Sequence, residues 1–314
     1  MIRGLRPTDV LAYISFRKRV GRSNEAILRP DGRTSPLSLQ SFIGRSLSLE
    51  PGRGTWIKVG GGEIGGLVAA KARWGAAIWD LDQLVSLPGS ERELTYIHLL
   101  QHISASAAHM NVHKVLLRLD SQSEALNAAR QAGFYHYTTE RIYRLAKIPQ
   151  TLTAPDVTVR PRAPADQQGI FHLYCSTVPA GVRQIEGMTL HEWRMMDGWH
   201  PQPMTWQSGI RHGRKDLVAM RASSLVAVAR ADLSSHVVSI MLHSGLQSLA
   251  DSVIGAFLAL LPAESGFYFA VREYQGGVIA AVERLGAEHV ASHALLARVT
   301  TVRVAERKLM PVRA

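Results

Sequence analysis

The chain has 314 residues, 46% of them apolar and 19% charged, a composition that can bury a sizeable core and excludes intrinsic disorder. Its 36 basic and 25 acidic residues give a formal charge of +11, and its single cysteine, Cys175, excludes an internal disulfide or a thiolate metal cluster. The longest apolar run, Val253 to Leu261, is far shorter than the roughly 18 residues a membrane span needs, and Met1 to Pro7 carries no apolar signal region.

In chain order the pattern predicts strand 2–6, helix 8–19 and helix 36–48. A hairpin of strands 55–59 and 64–73 follows, then strand 77–86, helix 91–110, strand 114–120, helix 123–132 and strands 134–146. The segment 149–156 is polar, holds Pro149 and Pro155, and reads as a linker. Beyond it come strand 157–162, helices 165–177 and 189–198, and strands 216–222, 225–233 and 236–243. Helix 246–261, strand 267–273, helix 277–285 and strands 288–304 complete the order.

That order is an internal repeat. Gly133 and Gly286, 153 residues apart, each end a helix and open a strand-like segment, as C-terminal capping glycines do. The openings repeat as well, Arg3, Pro7 and Asp9 answering to Arg160, Pro164 and Asp166. Length agrees, since domains commonly run to about 150 residues. The expected organisation is a domain at 1–148, a linker at 149–156, a second domain at 157–306 and a tail at 307–314. Each domain is α/β (α+β), a meander of antiparallel strands followed by β-α-β-α-β, hence a mixed, mostly antiparallel sheet flanked by helices.

Both halves resemble the GNAT superfamily of N-acetyltransferases, in the order of elements and in the carboxy-terminal signature. Where that family usually has an Asn, an Ala and a Tyr before Gly-Phe, this chain has Gln122, Ala125 and Ala129 before Gly133-Phe134, and Gln275, Val278 and Val282 before Gly286-Ala287. The resemblance implies acetyl-CoA as acyl donor, no metal, and direct attack by a primary amine on the thioester. The acceptor amine then loses a proton and the leaving thiolate gains one.

The family holds the pyrophosphate on backbone amides of a Gly-rich loop opening a helix. Here the corresponding place is Leu87 to Ser90 and the helix after it. Arg92 stands for the family's leading Arg, and the two glycine positions fall on Thr95 and Ile97. The resemblance thus assigns cofactor binding to Leu84, Val85, Ser86, Gly89, Ser90, Arg92, Thr95 and Gln122. In the second half the loop 243–249 has no matching Arg, so that half is expected to be catalytically dead. Asp80 and Asp82 alternate along one strand and so share a sheet face. Buried without partners they would be costly, which marks them as candidate bases; paired with Arg or facing solvent they would be structural. The family's Tyr is absent, which leaves Tyr135, with Tyr137 beside it, as candidate acid or as packing.

Three other features need weighing. Gly60 to Gly65 satisfies G-x-G-x-x-G but is followed by a strand-like run, so it predicts a hairpin turn rather than a dinucleotide site. His98, His102 and His109 lie on one helix face with His113 just beyond; without a carboxylate or Cys at ligand spacing they read as a polar face, not a metal centre. Trp193, Trp199 and Trp206 with Met195, Met196 and Met204 read as a packing surface or a lip over a cleft. The basic excess favours anionic partners, but the cations are scattered, with Arg17-Lys18-Arg19 the nearest to a cluster, so a nucleic-acid groove is not expected. The leading expectation is a cytoplasmic acetyltransferase acting on a small-molecule or peptide amine, without membrane contact. The alternative is a non-catalytic binding or scaffold protein that keeps the fold and has lost cofactor chemistry.

Overall fold

Alternating apolar residues fold the first half into strands β1 (Ile2–Gly4), β2 (Arg53–Gly60), β3 (Glu63–Ala72), β4 (Ile78–Ser86), β5 (Lys114–Asp120) and β6 (Tyr135–Leu145). The second half supplies β7 (Thr158–Pro161), β8 (Arg214–Arg221), β9 (Ser224–Asp232), β10 (Val237–Leu242), β11 (Phe267–Arg272) and β12 (Glu288–Val299). The computed structural model describes residues 1–20, 37, 39–46, 52–73, 77–149, 157–187, 213–262 and 266–300. Most of the expected linker, the expected helix 189–198, the Trp- and Met-rich segment and the tail lie outside the described residues.

The helices are α1 (Val10–Val20), α2 (Leu39–Ser46), α3 (Arg92–His109), α4 (Ala125–Gln131), α5 (Gln167–Thr177), α6 (Ala180–Glu186), α7 (Ala250–Leu258) and α8 (Gly276–Arg284). α3 buries Tyr96, Leu99, Leu100, Ile103 and Ala107 at helical spacing, against Val68, Leu81, Leu84, Val115 and Leu117. The residues that alternate with these, Leu67, Ala69 and Val85, face α1 and α2 through Tyr13, Phe16 and Phe42. The second half is built alike, with α7 and α8 on one face and α5 and α6 on the other. α6 follows Pro179 directly and is a helix the sequence pattern did not announce.

The two expected sheets are continuous with one another. Twelve strands run in the order β1-β2-β3-β4-β5-β12-β6-β11-β10-β9-β8-β7. At the centre the halves exchange their last strands: β12 lies between β5 and β6, and β6 lies between β12 and β11. Each half therefore completes the other's sheet. Leu296 of β12 is fully buried in the core beneath α3, and Tyr143 of β6 in the core beneath α7 and α8.

The repeat extends to atoms. Arg3 donates two hydrogen bonds to Asp9, at 2.7 and 2.6 Å, and Arg160 donates two to Asp166, both at 2.7 Å. Each carboxylate also accepts a backbone N–H three residues upstream, from Arg6 and Ala163, fixing the entry to the next helix. Gly133 and Gly286 both take positive φ, +83° and +81°, and end α4 and α8 as capping residues. Between β2 and β3, Gly61 and Gly62 have φ of +59° and +81°, the two left-handed positions of a tight hairpin turn.

Because β6 and β12 are each shared, the halves should unfold as one unit. Leu296→Ala removes core volume from the first half with a residue of the second, and should cost about 2–5 kcal/mol. Calorimetry should then show a single transition, shifted as a whole. Two separable transitions, only one of them moved by Leu296→Ala, would refute the interlocking.

Candidate active site

β4 and β5 run parallel and pair only from Ile78–Asp80 against Lys114–Leu116. Beyond that point they part, leaving an opening between Leu81–Ser86 and the second half of β5. A β-bulge at Asp82 sharpens the departure: Ala69 of β3 pairs with Gln83 and Ala70 with Leu81, so Asp82 is the extra residue. All nine residues of β4 are buried.

Both carboxylates at this opening have cationic partners. Arg73 donates from Nε and Nη2 to Asp80, at 2.7 and 2.9 Å, and the two side chains are almost wholly enclosed. Burial opposes the Arg73 charge, but the Asp80 carboxylate more than offsets it and holds the guanidinium ionised. Asp82 binds Arg53 through Oδ2. Its Oδ1 is buried and accepts no hydrogen bond among the described residues. Of the two, only Asp82 has an oxygen left over.

At the mouth of the opening lies a cleft of about 460 Å³ lined by Gly89, Ser90, Arg92, Glu93, Tyr96 and Asn127, with Pro88 and Glu124. Gly89 has φ of +136°, and a Cβ built there would meet no atom within 4 Å. The turn lies beside the first residues of α3, eighteen residues long, whose N-terminal amides favour an anion. Arg92 is engaged by the exposed Glu124, Nη1 to Oε2 at 3.1 Å, and Glu93 accepts from Gln131 at 3.2 Å. The cleft thus offers a bare turn and a guanidinium, opposed by two carboxylates.

The structure therefore brings Gly89, Ser90 and Arg92 together and sets Asp80 and Asp82 at the base of the opening. Leu84 and Val85 point into opposite cores, so only their backbone is available. Ser86 donates to Leu87 O at 3.2 Å. Thr95 does not line the cleft: its hydroxyl donates to Glu91 O at 2.9 Å and accepts from Lys58 Nζ at 3.0 Å. Its methyl packs so closely on Gly66 that a Cβ there would lie 2.5 Å away. Gln122 is exposed, with its backbone N–H on Asp120 Oδ1 at 2.8 Å. Tyr135 lies apart, two strands across from β5 in register with Ala297; with Tyr137 and Glu273 it lines a second cavity of about 470 Å³ against α6. Among the described residues no three His, Cys, Asp or Glu could together hold a metal ion, and no helix is long and apolar enough to cross a membrane.

Charged residues inside apolar strands mark a network that motif reading passed over. Asp120, His293, Glu140 and Arg272 stand in one row across β5, β12, β6 and β11. Glu140 is bound by Arg118 and by Arg272, the latter at 3.5 Å. Arg272 also meets Glu186 of α6 at 3.1 Å, to which Tyr137 donates at 2.8 Å. Arg118 donates to His293 Nδ1 at 2.7 Å, which requires the neutral ring. Burial, helped by the Arg118 charge, pushes the His293 imidazole down to about 2.

In the second half the corresponding opening is closed. β10 and β11 pair only at Val237–Val238 against Tyr268–Phe269. Gln275 then reaches across, its Nε2 donating to Ile240 O at 2.9 Å in a buried bond. Gln247 accepts the Gly277 N–H at 2.9 Å and packs where any Cβ on Gly277 would fall.

No protein-family model and no curated protein matches the sequence. Solved structures do. A tandem GNAT protein from the clavulanic acid biosynthesis pathway aligns over 97% of this chain and 99% of its own, at TM-score 0.53 and 12% identity. The fold is that of tandem GNAT proteins. A GCN5-related N-acetyltransferase from Sphaerobacter thermophilus covers 95% of both chains at TM-score 0.57 and 14% identity. Another, from Anabaena variabilis, covers 95% of this chain and 72% of its own at 0.53 and 8%. The GNAT likeness is one of architecture, with two such units joined in one sheet.

The neutral His293 makes stability depend on pH. Unfolded, the ring titrates near 6.5; folded, it stays neutral to about 2. The unfolded state therefore binds the extra proton as pH falls below 6.5, and stability is lost at up to about 1.4 kcal/mol per pH unit. Denaturant midpoints measured from pH 7.5 to 5 should fall, and His293→Gln should remove that component of the slope. An unchanged slope in the variant would place the titrating group elsewhere.

Proposed function

We propose that the protein is a cytoplasmic N-acyltransferase that moves an acetyl group from acetyl-CoA to a primary amine, with the reaction in the first half alone. The observation that carries this reading is the parting of β4 and β5, with the Gly89–Arg92 cleft at its mouth and the unbonded Asp82 Oδ1 at its base. The bare turn and the start of α3 fit the phosphates; Glu93 and Glu124 oppose them, and Glu124 is exposed and able to swing away. When bound, acetyl-CoA supplies the thioester and its thiolate leaving group.

Each residue then has a task. Gly89 and Ser90 offer backbone N–H groups and Arg92 its guanidinium to the phosphates. The β4 edge beyond Asp80 offers main-chain groups to the chain that carries the thioester. Asp82 Oδ1 takes a proton from the incoming ammonium, directly or through water, while Arg53 holds Oδ2 and fixes the carboxylate. The Asp80–Arg73 pair braces the base of the opening. The acceptor, a small-molecule or peptide amine, approaches from the face that carries α1 and α6. Ile185 of α6 packs there on Ile78 and Leu116, so the second half walls the site of the first.

Calorimetric titration with acetyl-CoA should give one site per chain. Gly89→Pro should abolish binding, and Glu124→Gln, by releasing Arg92, should tighten it roughly two- to fivefold. No binding at millimolar cofactor would sink the acyltransferase reading and favour the non-catalytic alternative. With an amine panel and thiol release as readout, Asp82→Asn should lower kcat about 10²- to 10⁴-fold with cofactor affinity kept. A kcat within threefold of the parent would remove Asp82 as the base.

A further inference from the structure

β11 ends at Arg272, and the next two residues, Glu273 and Tyr274, line the cavity of about 470 Å³ to which Tyr135 and Tyr137 of β6 also contribute. Val182 and Ile185 of α6 complete its apolar wall, and its size is usual for small-molecule sites. β6 stands three strand spacings, roughly 14 Å, from β4. No residue lines both this cavity and the Gly89–Arg92 cleft.

Glu273 is the one charged residue of the described lining. Its Oε1 accepts from the Thr139 N–H at 2.9 Å and from Thr138 Oγ1 at 3.2 Å, which holds the carboxylate against β6. Among the described residues its Oε2 has no hydrogen bond and no cation pairs with it. Every Lys, Arg and His of α6, β6 and β11 lies outside the lining, and Arg272 is bound by Glu140 and Glu186 at 3.5 and 3.1 Å. Burial pushes the phenols of Tyr135, Tyr137 and Tyr274 up, so all three rings are neutral at neutral pH. The lining thus sets one negative charge among three aromatic rings.

Two of the rings are held in place. Tyr137 and Tyr274 pack on the core beneath α5 and α6, and Tyr137 donates to Glu186 at 2.8 Å. Tyr135 is exposed at the rim. The internal repeat shows what the scaffold needs here. Glu273 N–H donates to Thr139 O, as Ser121 N–H donates to Ser292 O, so Glu273 stands in the place of Ser121. The glutamines that follow, Gln275 and Gln122, lie 153 residues apart, and Glu273 and Ser121 only 152. Tyr274 is therefore an extra residue of the second half. The turn itself requires neither this acid nor this ring, and both line the cavity.

We propose that this cavity binds a quaternary ammonium ion, its charge balanced by Glu273 and its alkyl groups among the rings of Tyr135, Tyr137 and Tyr274. Aromatic rings attract a cation to their faces. A quaternary nitrogen has no N–H to satisfy, which suits a lining whose single carboxylate already commits Oε1 to β6. An unsubstituted ammonium ion would leave donors unbonded against Val182, Ile185 and the rings. The half whose own opening is closed by Gln275 thus keeps a binding site. It does not depend on the reading of the first half as an acyltransferase.

Titration of the full-length protein at constant ionic strength tests it, with tetramethylammonium, ammonium and tert-butanol as probes. Tetramethylammonium should saturate one site per chain. Ammonium has the charge without the methyl groups, and tert-butanol the methyl groups without the charge; each should bind at least tenfold more weakly. Glu273→Gln keeps an acceptor for the Thr139 N–H and removes the charge, and Tyr135→Leu changes an exposed ring. Each should weaken tetramethylammonium about fivefold or more, while Gly89→Pro should leave its affinity unchanged. An absence of saturable tetramethylammonium binding would overturn the proposal, as would undiminished binding in folded Glu273→Gln or Tyr135→Leu, or loss of binding in Gly89→Pro. Ammonium or tert-butanol equal to tetramethylammonium would overturn the choice of a quaternary cation.

Discussion

Everything in this molecule rests on the exchange of β6 and β12 at the centre of the sheet. A strand pairs on two edges, and here both edges of both exchanged strands belong to neighbours that the other half supplies or shares. The consequence is mechanical. The opening between β4 and β5 is bounded on its far side by a sheet whose next strand is β12, so its width is set by residues more than 170 positions away along the chain. The first half cannot adjust its cleft without the second.

The repeat separates what folding needs from what it does not. Positions that keep their chemistry in both halves, such as the Arg–Asp pairs that enter α1 and α5 and the glycines that end α4 and α8, serve the scaffold. Positions that differ carry the divergence. One opening is left to a cleft with a bare glycine turn, and the other is tied shut by Gln275 on the very strand edge that would otherwise be exposed. A buried amide-to-carbonyl bond is worth only about 1 kcal/mol, but leaving either partner unbonded would cost more, so the closed state is self-consistent.

Legibility in the sequence follows the range of the interaction. Strand and helix order, the hairpin at Gly61-Gly62 and the repeat of Arg3–Asp9 in Arg160–Asp166 are local, written within a few residues. The turn at Gly89 and the start of α3 are local in the same sense. The partners of Asp80 and Asp82 were not equally so: Arg73 is seven residues away across a turn, but Arg53 lies two strands over and nothing local announces it. Thr95 sits at the right spacing for a phosphate turn, yet the contact of its methyl with Gly66 turns it toward the hairpin. The strand exchange was invisible, because β6 and β12 carry the same alternation whether they pair at home or abroad.

The polar row at the joint explains why the exchange has one register. His293 lies between Asp120 and Glu140, and Glu140 between His293 and Arg272. A slip of β12 by one residue would carry Leu296 out of the core beneath α3 and bring Ala294 or Ser292 opposite Glu140. Arg118 would then lose its acceptor on His293, and a charged group would remain in the interior with fewer partners, a state that costs several kcal/mol. Apolar strands alone tolerate near-equivalent pairings, whereas a neutral imidazole wedged between a guanidinium and a carboxylate fits in one place. The network's net stabilisation is modest by the general behaviour of buried ion pairs, and its effect is on specificity: it selects this pairing among the alternatives that twelve similar strands allow.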